Sequence, residues 1–397
     1  MDKKFGRLRL GPKSSLSAEL LGLGLAGLLA VPVLGELRFT RTLQPLTQTW
    51  QSMPVESRRT ASIGVSLRAP QIDAFNLDPR GTFETLLKYP FQVLRLGAYW
   101  NRLEPRPGVF EPAELDWQIE AAERAGKQVV MCVGALKCFG YPEFFAPRHI
   151  VESLPERRRI LAHDYPALLD AATDFIRRIV ERYRQSPSIL AWQVEHESVD
   201  PLGLEHSWRL DLGFVEREVA AVRAEDPGRP VLMNGFLPVS IVGGLSQWFQ
   251  TRDQGDSIAA AVRTADVIGI DFYPRMGLLA VGSLSAYLDS ACAPWQFRTF
   301  DSVLRACQRL GKRVMITEVQ AEPWEADTIP PNPPGRVPAS CRPEHLIANY
   351  NALVRRATRS GAAVEAYLFW GAEYWLLRQQ VGDRSYLDAF ARVLDTP

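Results

Sequence analysis

The sequence predicts an α/β protein whose main domain, residues 61–397, is a (β/α)8 TIM barrel. Eight short runs rich in β-branched residues alternate there with longer segments of helical periodicity. Gly126, Gly311 and Gly361 each follow a predicted helix and precede a strand, which is a common way for a helix to end before a short loop. An open, doubly wound sheet would alternate in the same way. The residues at the strand ends therefore have to distinguish the two folds.

The predicted elements follow one another in regular order. The strands are Ser62–Ser66, Gln92–Leu96, Gln128–Val133, Ile189–Val194, Val231–Asn234, Val267–Asp271, Val314–Glu318 and Val364–Phe369. The clearest helices are Pro112–Ala125, Tyr165–Tyr183, Leu212–Ala224, Phe300–Leu310, Pro343–Ser360 and Tyr386–Leu394.

Composition and charge exclude several classes of function. The 397 residues are 46% hydrophobic and 23% charged, which is typical of a globular protein, and the net charge of +1 gives no reason to expect a nucleic-acid partner. The five cysteines form no C-x-x-C pair, and the five histidines form neither H-x-H nor H-E-x-x-H. These patterns give no support for a metal site. Neither a metal nor an organic cofactor is expected.

The N-terminal residues 1–35 predict an export signal or a membrane anchor. Five basic residues between Lys3 and Lys13 precede the uncharged run Leu20–Gly35. This run is shorter than the roughly 20 residues that cross a bilayer comfortably, which favours a removable signal, while an uncleaved anchor would associate the protein with the membrane. Both interpretations place the barrel outside the cytoplasm. The polar residues 36–60 are expected to form an irregular linker.

Chemically versatile side chains cluster where the predicted strands end. Arg95, Glu197, Tyr273, Glu318 and Trp370 lie at or just after the ends of five different strands. In (β/α)8 barrels the active site lies at the C-terminal ends of the strands, so these residues are expected to converge. Two carboxyl groups that flank one bond are what glycoside hydrolysis requires.

Four segments of the sequence resemble glycoside hydrolase clan A, the cellulase-like (family 5) and β-galactosidase-like (family 42) barrels. They are residues 95–110 (RLGAYWNRLEPRPGVF), 192–197 (WQVEHE), 316–324 (ITEVQAEPW) and 369–375 (FWGAEYW). The resemblance covers roughly residues 61–395. A subgroup of cellulase-like bacterial proteins is more similar still, and it also has counterparts of Lys137, Pro142 and Glu143.

This resemblance implies a role for each strand-end residue. Glu197 would be the acid/base and Glu318 the nucleophile, with Arg95 and Tyr273 supporting Glu318 and Trp370 stacking on a sugar ring. Four further residues are candidates for contacts with the substrate: Trp100, Lys137, Gln320 and Trp324. The sequence departs from the clan at His196, where an asparagine usually binds the 2-hydroxyl of the sugar.

The expected function is that of a retaining glycoside hydrolase that acts on a β-linked glycan or oligosaccharide. Two alternatives use the same residues. One is a barrel that has lost catalysis and only binds carbohydrate, which the substitution at His196 favours; the other is a transglycosylase. Loops rather than strand-end residues select the sugar in this clan.

Overall fold

The structure is a computed structural model that describes residues 34–153, 160–161, 165–200, 209–251, 253–290, 295–327 and 332–397. The predicted export signal or anchor lies outside these residues except for Leu34 and Gly35. None of the helices described is both long enough and apolar enough to span a bilayer.

Eight parallel strands close into a barrel, which confirms the predicted fold class. In order around the barrel, starting from the first in the chain, they are β3 (Ser62–Ser66), β4 (Val93–Gly97), β5 (Gln128–Cys132), β7 (Ile189–Gln193), β9 (Val231–Phe236), β10 (Val267–Phe272), β13 (Arg313–Gln320) and β15 (Ala366–Trp370). All eight coincide with predicted strands to within a few residues at each end.

Within the described residues, seven further strands lie outside the barrel. They are β1 (Leu37–Arg41), β2 (Leu43–Pro45), β6 (Ile160–Leu161), β8 (Arg209–Leu210), β11 (Arg275–Val281), β12 (Leu284–Asp289) and β14 (Arg336–Pro338). Strands β11 and β12 form a hairpin that directly follows barrel strand β10.

The helices surround the barrel and include all six that the sequence predicts. They are α1 (Thr49–Ser52), α2 (Ala69–Ala74), α3 (Pro79–Leu87), α4 (Trp100–Leu103), α5 (Ala113–Arg124), α6 (Arg148–Val151), α7 (Pro166–Tyr183), α8 (Leu212–Glu225), α9 (Ile241–Thr251), α10 (Ser257–Thr264), α11 (Trp295–Arg309), α12 (Pro343–Ser360), α13 (Ala372–Gln380) and α14 (Ser385–Asp395). A 3-10 turn, Trp324–Asp327, follows β13.

Helix α7 illustrates why these segments are helical. Apolar residues recur every three or four positions, at Leu168, Ala172, Phe175, Ile179 and Tyr183, and all of them are buried. This spacing forms one continuous stripe along a helix, and burying that stripe against the barrel stabilises it.

The barrel interior changes from apolar to polar along the strands. The apolar part of the interior is a cluster formed by Val93, Val130, Ala191, Leu232, Val267, Met315, Ala366 and Leu368. Alternate residues of a strand face the same side, so the next interior positions of β4, β7 and β9 are Arg95, Gln193 and Asn234. All three are buried and joined by hydrogen bonds. This polar layer supports the mouth of the barrel.

Residues 36–60 differ from the irregular linker that their composition predicts. Strand β1 pairs antiparallel with β12, and β2 pairs with β14, so this segment packs against the loops of the barrel. Trp50 in α1 is also buried. The expectation of an irregular segment is corrected, because the strands form only with partners that lie more than two hundred residues away in the chain.

Candidate active site

A pocket of about 380 Å³ opens at the C-terminal ends of the barrel strands. Seven of the ten predicted site residues line it: His196, Glu197, Tyr273, Glu318, Gln320, Trp324 and Trp370. They come from four different strand ends, so the expected convergence is observed. The two carboxyl groups predicted to carry the chemistry therefore share one pocket.

Glu318 is held from two sides by hydrogen-bond donors. Nη1 of Arg95 lies 2.6 Å from its Oε1, and the hydroxyl of Tyr273 lies 2.5 Å from its Oε2. Arg95 is completely buried below the pocket, and its Nε donates to Gln193 at 2.7 Å. Charge-assisted hydrogen bonds of this kind orient a carboxylate and favour its ionised form.

A local irregularity of β13 explains how Glu318 reaches the barrel axis. The register between β13 and β15 shifts between Ile316 and Val319, so two residues occupy the space of one. As a result, the side chain of Thr317 bonds to Asp271 at 2.6 Å while the next residue, Glu318, binds Arg95. A regular strand would direct successive side chains to opposite faces.

The loop after β7 presents Glu197 in an uncommon backbone conformation. Both Glu195 (φ 55°) and Glu197 (φ 44°) lie in the left-handed region, which non-glycine residues seldom adopt. The carboxylate of Glu195 accepts hydrogen bonds from the backbone N–H groups of Leu136 and Lys137, and Nζ of Lys137 donates to the carbonyl of Glu197 at 2.6 Å. These contacts with the loop that follows β5, the β5 loop, hold Glu195 and Glu197 in this uncommon backbone conformation.

The β5 loop can approach this closely because residue 134 is a glycine. A Cβ on Gly134 would lie 2.2 Å from the backbone nitrogen of Glu195. Any larger residue would push the two loops apart and displace the Glu197 loop from the pocket.

The two carboxyl groups differ in their electrostatic surroundings. Burial, followed by the negative charges of Asp271, Glu143 and Glu318, raises the pKa of Glu197 well above its ordinary value. Burial also raises the pKa of Glu318, but Arg95 and Tyr273 oppose that shift. Glu197 is therefore the member of the pair that holds a proton more tightly, and Glu318 is the member that ionises more readily.

The hydrogen bonds of His196 define its tautomer. Nδ2 of Asn234 donates to Nδ1 of His196 at 2.9 Å, and Nη2 of Arg95 lies 3.4 Å from the same nitrogen. Burial, together with the charges of Arg95 and Lys137, lowers the pKa of His196 well below its ordinary value. The ring is therefore neutral and carries its proton on Nε2, which makes that nitrogen a donor.

His196, Asp271 and Glu318 form the one group of potential metal ligands among the residues that the structure describes. Their ligand atoms already accept hydrogen bonds: Nδ1 of His196 from Asn234, and Oε1 of Glu318 from Arg95. A cation bound there would have to displace these donors and lie beside a buried guanidinium. The group is better explained as part of the hydrogen-bond network below the pocket.

An aromatic and charged wall faces the carboxyl pair. The guanidinium of Arg68 lies 4.2 Å from the ring centroid of Trp370 and forms ion pairs with Glu322 at 2.7 Å and with Glu373 at 2.6 Å. The ring of Tyr273 meets Trp370 edge-on, with the centroids 6.3 Å apart. These contacts fix the orientation of the Trp370 ring on the pocket wall.

Of the four further residues predicted to contact substrate, two line the pocket and two do not. Trp100 is only 1% exposed and stacks on Phe175 in the core, and Lys137 is buried behind the Glu197 loop, so neither lines the pocket. Their expected contact with substrate is corrected to packing for Trp100 and loop support for Lys137. Gln320 and Trp324 do line the pocket. The amide of Gln320, however, is occupied by the backbone N–H and carbonyl of Arg275.

Arg68 and Glu143 line the pocket but were not predicted as site residues. Arg68 lies two residues past β3, so the rule that selects residues after strand ends could have found it. Glu143 belongs to the segment whose resemblance to cellulase-like proteins is a prediction, and nothing in the sequence assigns it a role. Within the described residues, its Oε2 is buried and has no hydrogen-bond partner.

The carboxyl group of Glu143 is expected to make stability depend on pH. Burial raises its pKa from 4.5 to about 7, with Lys137 opposing the shift and Glu318 adding to it. The folded state then binds this proton more tightly than the unfolded state. The contribution of this proton to the free energy of unfolding is fully present below pH 4.5 and is lost as the pH rises through 7. We expect Glu143→Gln to raise the melting temperature relative to wild type by roughly 2–5 °C at pH 8 and by little at pH 5.

Thermal unfolding of both proteins between pH 5 and pH 8 would measure this difference. The matched control is Glu152→Gln, the same change at an exposed position of the neighbouring loop. Melting curves of Glu143→Gln and wild type that stay parallel across this range would contradict the expected burial of the carboxyl group.

Comparison with known proteins extends the resemblance seen in the sequence. Residues 82–202 match the family model for glycoside hydrolase family 42, β-galactosidase. The β-galactosidase BgaH of Haloferax lucentense is 23% identical over an alignment of 121 residues, and the match covers 27% of this chain and 17% of BgaH. The chain thus spans less than a fifth of the length of this relative.

Solved structures share the barrel. Xylanase 10B from Thermotoga maritima aligns with a TM-score of 0.51 at 15% identity, over 85% of this chain and 96% of the xylanase. A cold-adapted β-galactosidase from Rahnella sp. R3 aligns with a TM-score of 0.54 at 12% identity, over 88% of this chain and 57% of that protein. At these identities the likeness shows the fold alone. Together with the family 42 match, it confirms the similarity to clan A glycosidases, while the closer kinship with cellulase-like proteins stays a prediction.

Proposed function

We propose that this protein is a retaining glycoside hydrolase that acts on a β-linked glycan or oligosaccharide. The observation that carries the proposal is the carboxyl pair in one pocket. Glu318 ionises more readily because Arg95 and Tyr273 donate to it, whereas burial and nearby carboxyl groups make Glu197 hold a proton more tightly. Double displacement at an anomeric carbon requires such a pair, with one carboxylate that attacks and one carboxylic acid that donates a proton.

In the first step the carboxylate of Glu318 attacks the anomeric carbon while Glu197 donates its proton to the departing glycosidic oxygen. The bond to the leaving group breaks as the glycosyl–enzyme ester forms. Arg95 and Tyr273 hold both oxygens of Glu318, so the attacking group is oriented before substrate arrives.

In the second step Glu197, now ionised, removes a proton from water, and the resulting hydroxide attacks the same carbon. The ester to Glu318 breaks, and the sugar leaves with its original anomeric configuration. Loss of the ester restores the charge of Glu318 beside Arg95, and the proton taken from water restores the acid at Glu197.

Two further residues are placed to bind the sugar. Trp370 offers a rigid aromatic face on the pocket wall, and such faces pack against the apolar face of a pyranose. The Nε2–H of His196 is a donor where the clan usually has an asparagine amide, so the substitution preserves a donor for a sugar hydroxyl.

A screen of p-nitrophenyl β-galactoside, β-xyloside and β-glucoside tests the proposal. We expect release of p-nitrophenol from at least one of them. Proton NMR of the first product is expected to show the β-anomer before mutarotation. An α-anomer would indicate inversion and overturn the retaining mechanism. Binding of the sugars without cleavage of any glycoside would favour a carbohydrate-binding barrel, and glycoside products longer than the substrate would indicate transglycosylation.

A further inference from the structure

We propose that the substrates are amphipathic glycosides, with the sugar in the catalytic pocket and an extended apolar aglycone in a groove beside it. This inference rests on the proposed glycosidase function and adds the chemical class of the leaving group. It starts from a second cavity of about 410 Å³ that lies between α9 and the β11–β12 hairpin.

The groove adjoins the catalytic pocket directly. Phe236 and Met276 line both cavities, so the two share a wall. Met276 is 44% exposed and forms the rim between the two cavities, so it does not close one off from the other. A group attached to the anomeric oxygen of a sugar in the first cavity can therefore extend across this rim into the second.

The two cavities differ sharply in polarity. The catalytic pocket is walled by charged side chains, whereas the groove is walled mainly by apolar ones, including Val239, Val242, Leu278 and Leu288. One carboxyl group, that of Asp200, reaches the groove: its Oδ1 accepts a hydrogen bond from the Gln247 amide at 3.1 Å, and its buried Oδ2 has no hydrogen-bond partner among the described residues. A molecule with a polar sugar at one end and a hydrocarbon at the other matches both environments.

Helix α9 forms the outer wall of the groove and is unusual for a surface helix. Its sequence, IVGGLSQWFQT, contains no charged residue, and Thr251 is its one buried residue. Trp248 and Phe249 are 57% and 61% exposed. A surface helix normally directs polar or charged residues to solvent. The exposed apolar residues of α9 therefore indicate a surface that binds another molecule.

The facing hairpin continues the apolar surface. Leu278 of β11 lines the groove and is half exposed, and Leu279 and Val281 are exposed beside the groove without lining it. Apolar side chains therefore line both sides of the groove from the rim of the catalytic pocket, with Val242 on the α9 side and Leu278 on the hairpin side. An alkyl chain or lipid tail is the occupant that best fits a surface that is continuous with the catalytic pocket.

The test is the dependence of cleavage on aglycone length. For the sugar identified with p-nitrophenyl glycosides, kcat/KM of the full chain is measured on the methyl, butyl and octyl β-glycosides below their micelle concentrations. Each methylene that enters the groove is expected to raise kcat/KM by roughly two- to fourfold. Leu278→Asp and Val242→Asp are expected to reduce the octyl-to-methyl ratio at least about tenfold and to leave cleavage of the methyl glycoside unchanged.

Leu279→Asp is the matched control. It makes the same change in the adjacent residue of β11, which is exposed but does not line the groove. An octyl-to-methyl ratio near one in wild type, or equal loss in all three variants, would overturn the inference while leaving the glycosidase function intact. The groove would then belong to another occupant, such as the apolar run Leu20–Gly35 or a second copy of the chain.

If no glycoside is cleaved, the proposed function fails, and calorimetric binding of octyl and methyl β-galactoside decides the role of the groove separately. Tighter binding of the octyl compound that is lost in Leu278→Asp supports an apolar binding site. Equal binding of the two compounds overturns it.

Discussion

Replacing Glu318 with glycine is expected to lower kcat for an aryl β-glycoside by about 10⁴-fold or more, because the attacking carboxylate is removed. The space that it leaves lies beside Arg95, whose guanidinium attracts anions. Added azide is therefore expected to enter this space, attack the anomeric carbon directly and restore product formation. Since this attack occurs in a single displacement, the product should be the α-glycosyl azide, which NMR identifies.

Glu318→Gln provides the comparison for this variant. Its amide oxygen can still accept from Arg95, but it fills the space, so activity should be lost without rescue by azide. Melting temperatures of both variants verify that they are folded, because an unpaired buried guanidinium destabilises a protein. Retention of aryl glycosidase activity in both variants would remove Glu318 from the mechanism and, with it, the proposed double displacement.

Replacing Glu197 with alanine is expected to have an effect that depends on the leaving group. Cleavage of glycosides with poor leaving groups, such as alkyl alcohols, should fall by about 10³- to 10⁴-fold, because the proton donor is missing. Glycosides of 2,4-dinitrophenol need no such proton, so their first step should be affected little. Kinetics with a series of substituted phenyl glycosides would show a much steeper dependence on leaving-group pKa than in wild type.

Azide again separates the roles of the two carboxyl groups. In Glu197→Ala it should attack the glycosyl–enzyme and release the β-glycosyl azide, the anomer opposite to that formed by Glu318→Gly. Asp200→Asn is a suitable control, because it removes another buried carboxylate of the same loop. The same leaving-group dependence in wild type and Glu197→Ala would mean that another group, such as Glu143, supplies the proton.

The order and approximate bounds of the barrel strands and helices could be predicted, because the sequence patterns that indicate each element lie within or directly beside it. Helix α12 was predicted with its observed bounds, Pro343–Ser360, since it begins with a proline and ends before a glycine at φ 69°. Strand β3 was also predicted residue for residue. Strand β1 was missed, because its short polar sequence becomes a strand only when it pairs with β12.

The candidate site was predictable to the extent that it depends on strand ends. Glu197, Glu318 and Tyr273 follow from the rule that chemistry lies at the C-terminal mouth of the barrel. Trp100 belongs to the same resemblance motif as Arg95, yet it packs on Phe175 in the core. A motif specifies which residues are present, but the direction of each side chain depends on the loop that carries it.

The sequence by itself determined the eight βα units, the residues at their ends and the resemblance to clan A. Hydrophobic periodicity and short motifs are patterns of residues that lie close together in the chain. Only the tertiary structure decided which carboxyl group holds a proton more tightly, which nitrogen of His196 is a donor and where an apolar groove meets the pocket. These depend on distances between side chains from different strands and on how far each is removed from water. Such quantities exist only once the barrel has closed.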